Sequence, residues 1–162
     1  MEEVIIAEKI NNFQILEFVL ENDNSMQKYA IEISYLNEVH TVKKVTTLPC
    51  TPSFIIGIVN FRGKIISVID IRNFLGFTTH CMESDTVRKI IVVKVNELEL
   101  GIAVDGILGC NEISLLEVQK NISSITSSKA AYFKGISKES CIILDIKNII
   151  LDEKIIVNEE VI

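Results

Sequence analysis

Short runs of isoleucine and valine at a period of two constrain the fold of this chain most strongly. In the stretches 28–33 and 97–104, large apolar residues alternate with polar or small ones. This period places one set of side chains on one face of a β-strand, so both stretches predict half-buried strands. Four further runs are apolar at nearly every position, as in strands covered on both faces: 15–20, 65–71, 90–95 and 141–146. We therefore predict a mainly β protein.

Helical patterning is short. Ile33, Leu36 and Val39 share one face over about one turn. The stretches 70–75 (DIRNFL) and 145–150 (DIKNII) resemble each other, and each follows an apolar run. An aspartate at the start of such a stretch can cap a short helix. We expect two short helices there, and the resemblance suggests two related halves.

Composition excludes several classes of function. The chain has 162 residues and a net charge of −6, and no lysine–arginine block typical of a nucleic-acid-binding arm, so we expect no nucleic-acid partner. The four cysteines form no C-x-x-C pair and the two histidines no ligand spacing with them, which predicts reduced thiols without a metal or cofactor. The longest apolar runs fall far short of the ~18 residues of a membrane helix. With an acidic start and no secretory signal, we expect a cytoplasmic protein without direct membrane insertion.

Three aspartates, Asp70, Asp105 and Asp145, each end an apolar run, where carboxylates could do acid–base work. The companion motifs of known catalytic sites are missing from the sequence. We expect helix caps and turn formers. A small aspartate-based hydrolase would need two of these carboxylates within roughly 5–10 Å of each other around a polar pocket. A small-ligand barrel would need an enclosed cavity of at least ~300 Å³, whereas we expect a shallow open groove.

Arg62 lies in the stretch 57–63 (GIVNFRG), at the tip of a predicted hairpin. An exposed arginine there can offer a forked donor to a carboxylate or backbone carbonyl of a partner. It can equally be a solvated turn charge of little energetic consequence. The residues alone leave both interpretations open.

An ordered series of segments resembles CheW domains. The segments are 29–33 (YAIEI), 36–39 (LNEV), 51–57 (TPSFIIG), 59–63 (VNFRG), 69–72 (IDIR), 100–107 (LGIAVDGI), 132–135 (YFKG) and 141–145 (CIILD). They cover the chain from about Phe13 to Leu151 in the order of the family. The resemblance implies a single CheW-like domain over 1–162, with two side-by-side five-stranded β-barrels, short helices and a shared hydrophobic groove. We place the first barrel at 13–80, the second at 86–151 and a C-terminal tail at 152–162.

The resemblance also implies a function without catalysis. Family members are chemotaxis adaptors that couple the cytoplasmic tip of a chemoreceptor to the histidine kinase CheA, whose regulatory domain is itself CheW-like. Such a protein is recruited from the cytoplasm to membrane-associated receptor arrays. The alternative within this class is a CheW-like adaptor of another receptor–kinase pathway, for example in surface motility.

Nine residues match family positions implied to bind partners, beside the groove or across it. They are Leu36, Glu38 and Val39 in a helical turn, Gly57, Asn60 and Arg62 on the hairpin, and Gly101, Val104 and Gly135 on the opposite side of the groove. Leu36, Val39 and Val104 would supply apolar contacts, and Arg62 the polar one. Gly57 and Gly135 have an equally good structural interpretation, since glycine is needed where backbones approach closely. The segment 122–129 lacks the proline-rich sequence that many members carry before 132–135, and this leaves the kinase contact least defined.

Overall fold

Ten β-strands and short helical segments make up the residues that the computed structural model describes, which are 12–22, 24–120 and 127–155. In chain order they are β1 (Asn12–Asn22), β2 (Ser25–Glu32), a 3₁₀ turn (Ile33–Tyr35), β3 (Leu36–Thr41), β4 (Ile55–Phe61), β5 (Lys64–Ile69), α1 (Ile71–Phe74), β6 (Lys89–Val95), β7 (Leu98–Val104), β8 (Gly106–Ser114), a 3₁₀ turn (Leu115–Glu117), a 3₁₀ helix (Ser127–Tyr132), β9 (Phe133–Ile136), β10 (Ile142–Leu144) and α2 (Ile146–Ile150). The predicted mainly β fold is confirmed. No helix among these residues is long and apolar enough to cross a membrane.

The strands form two five-stranded sheets with the same topology. One sheet has the order β8-β1-β2-β10-β9 and the other the order β3-β6-β7-β5-β4. Each contains an antiparallel hairpin (β1–β2 or β6–β7), one parallel pair (β2–β10 or β7–β5) and a second antiparallel pair (β10–β9 or β5–β4). The five strands β1–β5 therefore correspond one by one to β6–β10.

The sheets do not follow the consecutive halves 13–80 and 86–151 that the sequence suggests as barrels. Among the residues that the structure describes, one compact unit combines those up to Ser34 with those of Ile107–Asp145. The other combines those of Tyr35–Gly106 with those from Ile146 onwards. The reason lies in strand pairing: the first two strands of each set of five join the last three of the other set. The halves thus correspond to the topological repeat, whereas each sheet contains strands from both.

An isolated β-bridge between the two edges of each sheet partly closes the sheet into a barrel. Thr46, which follows edge strand β3, exchanges two backbone hydrogen bonds of 2.8 and 2.9 Å with Ile58 of the other edge strand, β4. Gln119, which follows β8, exchanges two of 2.9 Å with Ile136 of β9. The same closure occurs at the same topological place in both units.

Glycines make these closures possible. A Cβ on Gly57 would lie 2.1 Å from the carbonyl oxygen of Thr46, and one on Gly135 would lie 2.6 Å from that of Gln119. Gly135 also has a φ of +147°, a conformation that residues with a Cβ rarely adopt. Both glycines therefore have a structural role where the edges meet.

The segment from Leu36 to Val39 is a strand and not the predicted helical turn. Only Ile33–Tyr35 is helical, as one 3₁₀ turn, and β3 then pairs antiparallel with β6, with a register shift between Leu36 and Glu38. Pairing with a buried central strand outweighs a one-turn helical pattern, because local propensity is weak beside tertiary contacts.

The first of the two predicted helix caps is confirmed. Asp70 has an extended backbone, and its Oδ1 accepts a hydrogen bond of 3.1 Å from the backbone N–H of Arg72 at the start of α1. Helix α1 packs through Phe74, whose ring meets that of Phe54 edge-on at 5.1 Å. Helix α2 begins at Ile146, as the second stretch predicts.

Candidate partner-binding site

The hairpin between β4 and β5 has a strained, two-residue turn. Phe61 pairs with Lys64, and the two residues between them, Arg62 and Gly63, have φ values of +52° and +80°. Positive φ at both central positions is the mark of a type I′ turn, which asparagine and glycine favour. Arginine there costs roughly 1–2 kcal/mol of backbone strain. Asn60 supports the turn, since its Oδ1 accepts a hydrogen bond of 3.1 Å from the N–H of Gly63.

The Arg62 side chain is braced yet exposed. Its Nη2 lies 3.3 Å from Oε2 of Glu38, and its guanidinium carbon lies 5.3 Å from the centroid of the Phe61 ring. The side chain is still 77% exposed. An ion pair this exposed contributes at most about 1 kcal/mol, so its main effect is to orient the guanidinium. The N–H groups not turned to Glu38 remain available to a partner.

These contacts span the gap between the two edge strands of one sheet. Glu38 lies on β3, whereas Arg62 directly follows β4. Beside this ion pair, the His40 ring on β3 meets the Phe61 ring on β4 edge-on at 4.9 Å. The structure thus brings together two predicted site residues, Glu38 and Arg62, and adds two aromatic residues that the sequence analysis missed. Alternation along β3 could have indicated His40, since it shares a face with Glu38.

Apolar side chains around this hairpin are unusually open. Strand β3 has no buried residue: Leu36 is half-buried and Val39 is 39% exposed. Ile65, three residues beyond Arg62, is 64% exposed and was not predicted as a site residue. Exposed aliphatic side chains on β3 and β5, the strands that carry Glu38 and follow Arg62, are of the kind that a protein partner can use.

Four of the predicted site residues are buried and contribute little to the surface of the chain. Val104 is 3% exposed, and a Cβ on Gly101 would lie 2.9 Å from Cγ2 of Ile90. Both lie on β7 of the same sheet as β3 and β4, not across a groove from them. Gly57 is buried in that sheet, and Gly135 is buried in the other unit. The exchange of strands places Gly101 and Val104 in the sheet of β3 and β4, whereas Gly57 and Gly135 are buried where the sheet edges meet.

Asp70 is a structural carboxylate. It is fully buried and accepts four hydrogen bonds, from the N–H, Nε and Nη2 of Arg72 and from the N–H of Met82, at 2.8–3.2 Å. Asp105 lies in the same unit, and Asp145 is assigned to the other. A carboxylate with these partners is not placed for the acid–base role that the hydrolase alternative required.

The cysteines offer no reactive pair. All four are free, with Cys50 and Cys110 exposed. Burial, together with the nearby Asp70, raises the pKa of the Cys81 thiol to about 11, and burial raises the pKa of Cys141 to about 12. Both thiols are therefore protonated near neutral pH. Among the residues described by the structure, no three His, Cys, Asp or Glu side chains come together as a metal site requires.

Two five-stranded sheets of the same topology, one of which has an exposed arginine at a hairpin, characterise this fold. The sequence matches the CheW-like domain over residues 14–154, and the chain belongs to that family. It is 28% identical to the chemotaxis protein CheW of Thermotoga maritima over 96% of this chain and 98% of that protein. It is also 28% identical to the chemotaxis protein CheW of Treponema pallidum, over 88% and 85% of the two chains.

A solved structure supports the same assignment. The crystal structure of the scaffolding protein TtCheW from Thermoanaerobacter tengcongensis superposes with a TM-score of 0.68 and 28% identity, over 88% of this chain and 94% of that one. As a member of this family of scaffolds and adaptors, the protein is not an enzyme.

Proposed function

We propose that this chain is a chemotaxis adaptor that couples chemoreceptors to the histidine kinase CheA within membrane-associated arrays. The observation that carries the proposal is the match to chemotaxis proteins named CheW over nearly the full length of both chains. In this role the protein is cytoplasmic, and it binds the receptor's cytoplasmic tip and the CheW-like regulatory domain of the kinase.

The receptor tip docks on the β4–β5 hairpin and the neighbouring β3. Arg62 presents its free N–H groups to a carboxylate or backbone carbonyl of the receptor. Leu36 and Val39 supply apolar contacts. Glu38 and Asn60 contribute indirectly, because Glu38 orients the Arg62 guanidinium and Asn60 stabilises the turn.

Backbone strain favours a functional role for Arg62. An asparagine would satisfy the positive φ of the turn at a lower cost, and a glycine would remove the steric conflict altogether. Residues held in sparsely populated conformations concentrate at functional sites. A guanidinium that is needed by a partner accounts for an arginine at this position.

The strength of the interaction can be bounded. Transient signalling interfaces are often small, so the isolated receptor pair binds with micromolar affinity, on the order of −8 kcal/mol. A charge-assisted hydrogen bond contributes about 1.5–3 kcal/mol. Loss of the Arg62 contact therefore weakens receptor binding by roughly 10- to 100-fold.

Co-purification of the full chain with a receptor signalling tip and the kinase regulatory domain tests the proposal. The wild-type chain is expected to assemble all three. Arg62→Asn removes the guanidinium and keeps the turn, so it should lose the receptor tip and retain the kinase domain. Lys94→Ala, which removes an exposed cation from β6, is the matched control and should behave as wild type.

Two results would contradict this assignment. Failure of the wild-type chain to bind either partner would reject the adaptor role. Equal receptor binding by wild type and Arg62→Asn would reject the role of Arg62 alone.

A further inference from the structure

A preformed cleft lies at the start of β4, in the unit that contains Tyr35–Gly106. It has a volume of about 490 Å³ and opens to solvent. It is lined by Ile55 and Ile56 of β4, both nearly buried, and by Cys81 and Met82 of the connection between α1 and β6. Its volume falls within the range of small-molecule sites, but its open, partly apolar form suits a side chain presented by a protein.

Hydrogen bonds fix the segment 81–86 that lines the cleft. The N–H of Met82 donates to the buried Oδ2 of Asp70 at 2.8 Å. Further along, the N–H and Oγ1 of Thr86 both donate to the carbonyl oxygen of Glu83, at 3.1 and 2.7 Å. Cys81 and Met82 also pack against the core of this unit. A cleft held in this way requires little ordering when a ligand enters.

The residues that line the cleft include two carboxylates and no lysine or arginine. Glu83 and Asp85 line it, and both are exposed. Within the described part of the chain, neither carboxylate has an ion pair. The neighbouring Arg88 donates instead to backbone carbonyls, those of Asp85 at 2.6 Å and Val87 at 3.1 Å.

The cleft is suited to binding and not to reaction. Its thiol, Cys81, is protonated near neutral pH because burial raises its pKa to about 11. The remaining lining adds two hydroxyls, from Thr47 and Ser84, and no histidine or lysine that could activate a nucleophile.

We propose that this cleft is a docking site for an aliphatic side chain that is flanked by a lysine or arginine on a partner protein. The half-buried Met82 and the edges of Ile55 and Ile56 take the aliphatic group, and the two exposed carboxylates, Glu83 and Asp85, take the cation. The site is separate from the arginine hairpin, since Ile55 begins β4 and Phe61 ends it, a separation of about 20 Å at the usual rise per residue. The two sites also prefer opposite charges, which allows one chain to hold two different partners.

Nuclear magnetic resonance of the ¹⁵N-labelled full chain, titrated with acetyl-Leu-Lys-amide or acetyl-Leu-Glu-amide, tests the site. The lysine peptide should shift the amides of residues 55–56 and 81–85. It should bind roughly threefold more tightly than the glutamate peptide at low salt, as expected for weak surface ion pairs, and high salt should remove this preference. No receptor or kinase is present, so the outcome is independent of the adaptor function.

Charge reversal gives the decisive comparison. The double variant Glu83→Lys with Asp85→Lys should invert the preference in favour of the glutamate peptide. The matched variant Glu97→Lys with Glu112→Lys makes the same change in net charge at exposed sites elsewhere and should keep the wild-type preference. The proposal is overturned if the cleft amides do not shift up to the solubility limit of the peptides, if both peptides bind equally at low salt, or if reversal at the rim leaves the preference unchanged.

Discussion

Replacing Arg62 by asparagine is expected to give a more stable protein than replacing it by alanine. Both substitutions remove the same contacts, the exposed ion pair with Glu38 and the contact with the Phe61 ring. They differ in the backbone, because asparagine tolerates the φ of +52° and alanine keeps the conflict between its Cβ and the main chain. The comparison therefore isolates the strain of the turn.

The expected difference in the free energy of unfolding can be estimated because the lost side-chain contacts are the same in both variants. The lost ion pair and ring contact contribute about 1 kcal/mol each at most at an exposed site, and they are common to both variants. The difference that remains is the cost of a left-handed residue with a Cβ, about 1 kcal/mol after allowing for the smaller penalty of asparagine. For a domain of this size, that corresponds to a difference in Tm of roughly 2–4 °C.

Urea unfolding of the two variants measures the difference directly. With a slope of about 1–3 kcal/mol/M, the midpoint for asparagine should lie roughly 0.3–1 M above that for alanine. Arg62→Gly relieves the strain but raises the conformational entropy of the unfolded chain, so its urea midpoint should fall between those of the asparagine and alanine variants. A midpoint for alanine equal to or above that for asparagine would refute the strained turn, and with it the inference that the guanidinium is retained at a cost.

Three further predictions concern the fold. Gly57→Ala should reduce the free energy of unfolding, measured by urea titration, by about 3 kcal/mol, because its Cβ meets a backbone carbonyl that cannot move aside easily. A loss below about 1 kcal/mol would show that the two edges of the sheet can separate. Asp70→Asn should cost about 3–5 kcal/mol in thermal unfolding, because it removes the negative charge from the buried ion pair with Arg72 and replaces one acceptor oxygen by an NH₂ group. An unchanged Tm would contradict this. Cleavage at a protease site introduced at residues 77–80 should leave two pieces that co-elute with unchanged circular dichroism, since both sheets contain strands of both pieces; separation of the pieces would contradict the strand exchange.

Local sequence patterns predicted the secondary structure well. The β content, the cap at Asp70 and the hairpin at Arg62 all follow from patterns over a few residues, which a single sequence contains. The exchange of strands between the sheets does not follow from such patterns, because the parallel pairing of Tyr29 with Ile142 joins residues that are far apart in the sequence. The sequence resemblance between the two helix-capping stretches indicated the repeat but could not show which strands share a sheet.

The same limit explains why the burial of some predicted site residues was not foreseen. Gly101 and Val104 match family positions, yet burial is a property of the assembled sheet and cannot be read from a motif. The helical turn predicted through Leu36 failed because pairing of β3 with β6 supplies more contacts than one turn of helix. The sequence also did not predict that Ile65 is exposed, because an isoleucine in a strand pattern is expected to be buried.

Topological equivalence of the two sheets separates structural residues from functional ones. Gly57 and Gly135 occupy matching places beside matching bridges, so their glycines serve the architecture of both units. Arg62 has no such counterpart. Its turn joins β4 to β5 in two residues, whereas the equivalent connection between β9 and β10 spans residues 137–141 and contains no arginine. The equivalent connection also contains a non-glycine residue with a positive φ, Ser140 at +62°, so a left-handed residue alone does not distinguish the two turns. Only the first turn has an arginine, and the proposed contact of its guanidinium with a partner would account for that difference.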